Sequence, residues 1–178
     1  MSTILSNEDS LKESLRLGVN KLADFVSSTL GPKGRNVLIK EDKRRPFITK
    51  DGVTVAKHFK IDDDPVANVA ATIIKEASAQ TNTDAGDGTT TSTVLTQAIF
   101  NEAQEHIEAG VSPVEIQRGL QKGLEFCCNR LEELAVQVTG EDQISNIATI
   151  SANNDRSIGE LISLAVDRVG RGGSITIQ

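Results

Sequence analysis

Asp84-Ala85-Gly86-Asp87-Gly88-Thr89-Thr90-Thr91 separates two stretches of helical periodicity, and its reading decides the fold. The stretch before it opens at Pro65 and repeats Val66, Val69, Ala70, Ile73, Ile74 and Ala77 on one expected inner face. The stretch after it carries Val94, Leu95, Ala98 and Ile99 and ends near Ala109-Gly110. The octapeptide is thus a helix–loop–helix joint. Its glycines permit positive φ and a close approach of backbone to a ligand. Its threonines offer hydroxyls and N–H groups at a helix start, where the partial charge is about +0.5. Asp87 adds one carboxylate suited to Mg2+ held between protein and phosphate oxygens. The pattern is a phosphate-plus-magnesium cradle. The competing reading is an ordinary helix cap, since Gly, Thr and Asp all favour that position. It is not a Walker A loop, because no Gly-Lys-Ser/Thr follows the glycines.

Upstream, Leu11, Leu15, Val19, Leu22, Val26 and Leu30 form one helical stripe that Gly31-Pro32 stops. Asn36 to Lys40 reads as a strand, Glu41 to Arg45 as a charged hairpin loop, and Phe47-Ile48-Thr49 as the returning strand. Lys50-Asp51-Gly52 turns into a short helix with Val53 and Val55. Asp62-Asp63-Asp64 before Pro65 is a solvated helix start, with acids complementing the dipole and proline at the first position.

Downstream, Ser112-Pro113-Val114-Glu115 predicts a capped helix with Ile116, Leu120, Leu124, Cys127, Leu131 and Leu134 on one face. Cys127 and Cys128 are adjacent, which gives neither metal-ligand spacing nor a disulfide framework. They are expected to be buried small residues of that helix. Val136 to Asp142 reads as a boundary. Gln143 to Ala148 is a short helix, Ser151 to Asp155 a polar loop, and Ile158 to Val169 a further helix broken by Gly170 to Gly173. Ser174 to Ile177 is expected to begin a strand.

Over all 178 residues there is no Trp, no Tyr and 5 Phe, so the core must come from Leu, Ile, Val and Ala. Scarce aromatics and a net charge of −6 argue against nucleic-acid binding. No apolar run reaches the ~20 residues of a membrane span, and Met1 to Leu30 has no secretory h-region. A reducing, cytoplasmic setting fits this. His58 and His106 are isolated, and no catalytic triad or carboxylate dyad is visible.

Two further segments could serve the cradle. Thr29-Leu30-Gly31-Pro32-Lys33-Gly34-Arg35 combines a helix end, two glycines and two cations; its plainer reading is a stop followed by a solvated turn. In Lys50-Asp51-Gly52 the carboxylate could assist at a γ-phosphate, or simply shape a turn.

Thr29 to Val37, Ile48 to Val53, Asp84 to Thr91 and Thr149-Ile150-Ser151-Ala152-Asn153 occur in this order, and together they resemble the group I chaperonins. The resemblance runs from about Leu11 to Ile177. It implies a mainly α, multihelical equatorial domain with a small β-hairpin over residues 1–134. Residues 135–178 would then be the first segment of a small α+β intermediate domain. Members of the family are much longer, so the apical domain and the C-terminal equatorial half are expected to be absent from this chain. By family pattern, Thr29, Leu30, Gly31 and Pro32 line the adenine and phosphate side, and Lys50 lies near the phosphates. Asp87 holds Mg2+, while Gly88, Thr89, Thr90 and Thr91 wrap the phosphates. Asp51 supports hydrolysis at the γ-phosphate, and Ile150 and Ser151 close the pocket. The implied cofactors are ATP and Mg2+, with K+ a further candidate. The implied partners are a homo-oligomeric ring of the heptamer type, unfolded client proteins and a co-chaperonin. The alternative is a truncated, non-catalytic module that docks with such rings.

Overall fold

A computed structural model describes residues 8–42, 44–170 and 172–176. Lys43 of the expected hairpin loop, Arg171 of the glycine break and Ile177 of the expected strand lie outside the described residues. The elements in order are α1 (Glu8–Ser27), β1 (Val37–Ile39), β2 (Phe47–Thr49), α2 (Gly52–His58), α3 (Pro65–Ala85), α4 (Thr89–Glu108), α5 (Pro113–Leu134), α6 (Glu141–Ser151) and α7 (Arg156–Val169). The chain forms two compact units that divide at Arg118/Gly119, within α5.

In the first unit α1 packs on α2, α3 and α4. The core is Val19, Leu22 and Val26 of α1, Val55 and Ala56 of α2, and Ala70, Ala71 and Ile74 of α3. The α1–α3 crossing is close because neither helix brings bulk to it. A Cβ on Gly18 would lie 2.0 Å from the Ala67 carbonyl oxygen. β1 and β2 pair antiparallel, with Val37 opposite Thr49, Leu38 opposite Ile48 and Ile39 opposite Phe47. The alternation of the strands turns Val37 and Ile39 towards the core and leaves Leu38 and Ile48 exposed.

Start and stop signals account for α3. The Asp64 carboxylate accepts from the Val66 and Ala67 N–H groups, both at 3.0 Å, with Pro65 at the first turn. Gly86 ends the helix at φ 73 and donates its N–H to the Asn82 carbonyl. The expected inner face of α3 is corrected. Val69 and Ile73 are 57% and 59% exposed, and the buried positions are Ala67, Ala70, Ala71, Ile74 and Ser78. Small residues fill the close crossing, so the bulkier ones turn outward. In α4, likewise, Leu95 and Ile99 are exposed while Thr89 and Thr93 are buried.

α5 has no buried residue, and Cys127 and Cys128 are exposed rather than buried. Its stripe has the expected spacing, but Leu120, Leu124, Leu131 and Leu134 are exposed and only Ile116 is half-buried. In the second unit α6 packs on α7. Their joint uses left-handed Asn153 and Asn154 (φ 56 and 67), with the Asn154 N–H donating to the Thr149 carbonyl at 2.8 Å. Asp155 caps α7 by accepting from the Ser157 and Ile158 N–H groups. Among the described residues Ser174 to Thr176 form no strand, and the sheet there is the β1–β2 pair alone.

Candidate functional site

Three segments of the first unit build the site. The α3–α4 joint supplies Asp87 and Gly88. Gly88 stands at φ 84 and opens α4 with no side-chain cap bond. α2, α3 and α7 instead begin on Asp51, Asp64 and Asp155, whose carboxylates take up the first N–H groups. The start of α4 thus has no cap bond from its N-cap residue, a feature it shares with α6, which opens on Gly140. Asp87 turns its Oδ1 onto the Gly88 N–H at 2.6 Å, which fixes the carboxylate beside the helix start. Beneath it, the Thr93 hydroxyl donates to the Thr89 carbonyl at 2.9 Å, and Thr81 donates to the Ser92 hydroxyl at 3.0 Å. These bonds tie the joint to both helices.

Gly52, the first residue of α2, packs against this corner. A Cβ there would lie 2.1 Å from Thr90 Oγ1 and 3.3 Å from Thr29 Oγ1. The hydroxyls of Thr29 and Thr90 thus converge on one glycine, bringing together the ends of three segments that are remote in sequence. Thr29 is buried and donates to the Val26 carbonyl at 2.7 Å. The turn after it is closed by the Arg35 N–H donating to the Ser28 carbonyl at 2.7 Å. Gly34 is obligatory in that turn, since a Cβ would meet the Thr29 carbonyl oxygen at 2.2 Å. Leu30, Gly31 and Pro32 are exposed along it, with Gly31 at φ 72.

Asp51 stands immediately before Gly52. Its Oδ1 accepts from the Val53 N–H at 3.3 Å, and its Oδ2 accepts from the Thr54 N–H at 3.0 Å and the Thr54 hydroxyl at 2.5 Å. This holds the carboxylate in one orientation next to the Gly52–Thr90 contact. Lys50 is exposed, Thr91 and Asp87 are exposed, Thr90 is half-buried and Thr89 is buried. Ile150 and Ser151 belong to the second unit, at the end of α6, and both are exposed.

Gly52, Thr54 and Gly34 were not singled out from the sequence as site residues. Gly34 lay inside a quoted motif, and Asp51-Val53-Thr54 has the form of a helix cap. Nothing local announces that Gly52 must admit Thr90. Among the described residues no group of three or more His, Cys, Asp or Glu could hold a metal ion. A Mg2+ here would take one carboxylate from Asp87 and its other ligands from phosphate and water, as that ion commonly does. Likewise, no helix among the described residues is long and apolar enough to cross a membrane.

A mainly helical domain with a two-stranded antiparallel hairpin, and with Gly-Asp-Gly-Thr-Thr-Thr at the corner where three segments meet, is a chaperonin equatorial fold. The chain belongs to the TCP-1/cpn60 chaperonin family, whose model matches residues 22–174. It is similar to the solved chaperonin gp146 from the bacteriophage EL 2 (Pseudomonas aeruginosa), determined in the presence of ATP-BeFx. The likeness is 27% identity and TM-score 0.77 over 99% of this chain and 31% of that one. A second crystal form of that protein gives 26% identity and the same TM-score. A group III chaperonin in the open state shares the fold, with 24% identity and TM-score 0.76 over 92% of this chain and 32% of that one. The chain thus spans about a third of the length of these solved proteins.

Proposed function

We propose that this chain carries one wall of the ATP pocket of a group I-type chaperonin, and that in the complete protein Mg-ATP binding and hydrolysis drive protein folding within a ring. The observation that carries the reading is the start of α4. It opens on Gly88 with no side-chain cap, while Asp87 is fixed beside it and two threonine hydroxyls converge at Gly52. α2, α3 and α7 begin on an aspartate carboxylate; α6, like α4, opens on a glycine, but only the start of α4 has the Asp87 carboxylate and the Gly52 corner beside it.

Each residue has a role in this reading. The N–H groups and hydroxyls of Thr89, Thr90 and Thr91, admitted by Gly88, take phosphate oxygens. Asp87 would hold Mg2+, which neutralises phosphate charge, and K+ is a further candidate cation. Lys50 adds a mobile positive charge near the phosphates. Thr29, Leu30, Gly31 and Pro32 form the adenine and phosphate side. Asp51, oriented by Thr54, supports attack at the γ-phosphate. The solved relative determined with ATP-BeFx supports the choice of nucleotide. A heptamer-type homo-oligomeric ring, unfolded clients, a co-chaperonin and a cytoplasmic location complete the proposal; two free, exposed cysteines suit a reducing compartment.

The test uses the full-length protein. Asp87→Ala lowers Mg-dependent ATP turnover by roughly a hundredfold or more, with the fold retained by circular dichroism. Turnover at the wild-type level would overturn the metal assignment.

A further inference from the structure

His58, the last residue of α2, has a carbonyl within hydrogen-bond distance of one ring nitrogen and a carboxylate at ion-pair distance from the other. Its Nδ1 lies 3.2 Å from the Thr54 carbonyl oxygen, and its Nε2 lies 3.7 Å from Glu41 Oε1. Neither a carbonyl nor an ionised carboxylate can donate a hydrogen bond. A neutral imidazole has a single N–H, so it serves one partner and turns a lone pair towards the other. Only imidazolium presents a proton to both. The edge of the same ring meets Phe47, with centroids 5.3 Å apart and planes at 75°. One side chain thus touches α2, β2 and the loop between β1 and β2, and it is only 18% exposed.

We propose that His58 and Glu41 form a proton-operated clamp that fastens the β1–β2 hairpin to α2.

Among the described residues, the cations nearby engage other atoms. Arg44 engages the other oxygen of Glu41, with its NH1 3.1 Å from Oε2. Lys60, which also feels Asp42, is paired with Asp62. On α3, Lys75 donates to the Phe59 carbonyl, and on α2 itself Lys57 is exposed. A positive charge at His58 also suits the carbonyl end of α2.

The hairpin needs such a fastening. Its strands are three residues each, and two short strands alone are barely stable in water. A cavity of about 240 Å³, lined in part by Val37, Ile39, Val55, His58 and Phe59, lies between the hairpin and α2. Apolar packing there is incomplete, so a polar contact weighs more in holding the hairpin down.

Amide hydrogen exchange on the full chain tests the clamp, with protection factors corrected for the intrinsic pH dependence of exchange. The readout is the amides of Val37–Ile39 and Phe47–Thr49, measured against Val19 and Leu22 in α1. Expected is a rise of roughly two- to fivefold in hairpin protection on going from pH 7.5 to pH 5.5, the range for a part-exposed ion pair. The rise disappears in His58→Gln and in Glu41→Gln. Equal wild-type protection at the two pH values would overturn the clamp, as would a variant that keeps the wild-type rise. If His58→Gln does not fold, Glu41→Gln decides alone. ATP plays no part in this readout, so the clamp and the nucleotide proposal stand or fall separately.

Discussion

Gly52 shows how much of the candidate site rests on the absence of a side chain. The space a Cβ would need is occupied by Thr90 Oγ1, with Thr29 Oγ1 close behind. Gly52→Ala must therefore push the start of α2 off the start of α4, or drive Thr90 out of its rotamer. Either response costs about 1–3 kcal/mol, the usual range for overpacking. Urea unfolding of the full chain checks this, and a midpoint equal to wild type would show that the corner yields freely. Gly86-Asp87-Gly88 could be read from the sequence because its signal is local: two glycines, one acid and three threonines in a row. The Gly52–Thr90 contact could not, since it joins distant positions and neither residue is unusual where it stands. Asp51 lay between the two cases. Its place before a short helix was legible, but its dependence on the Thr54 hydroxyl was not.

At the scale of elements, capping separates α4 from its neighbours. Asp64 is held below the usual carboxylate range, first by the Ala67 N–H, then by the Ser14 hydroxyl, with Val66 N–H also contributing. A carboxyl depressed in the folded state adds stability above its unfolded range and loses it as pH falls through the folded one. Asp64→Ala should consequently lower the thermal midpoint at about pH 6 and change it much less at about pH 2.5. Scanning calorimetry at the two pH values checks this; an equal loss at both would mean that the ionised cap is not the cause. Asp155, held down first by the Ser157 hydroxyl and then by the Ile158 N–H, shares the sign. The element pattern was largely readable from Pro65, Gly86, Gly110 and Gly170, because breakers act through their own backbone. Which side of α3 faces inward was not. The apolar count favoured Val69 and Ile73, whereas the close crossing at Gly18 selects small residues, and that crossing depends on a helix some fifty positions away.

For the molecule as a whole, the conspicuous feature is α5, which buries no residue and where Leu124 and Leu131 are each 66% exposed on one stripe. Apolar surface of this kind drives association. Leu124→Glu with Leu131→Glu should reduce self-association of this chain in sedimentation while moving its unfolding free energy by less than ~0.5 kcal/mol, as expected of exposed positions. A large loss of stability would mean that the stripe is packed after all. Family membership was legible at this scale because four motifs recur in order along the chain. The burial of Cys127 and Cys128 was misjudged because a stripe predicts a face and says nothing of what meets it. The central place of α1 has a further consequence, one of time. Asn20 of α1 accepts from Gln97 and Asn101, 77 and 81 positions later, and Arg16 reaches Glu108 after 92. A ribosome adds about 5–20 residues per second. α1 therefore waits roughly 5–18 seconds for Glu108, after synthesis of the hairpin, α2, α3 and most of α4.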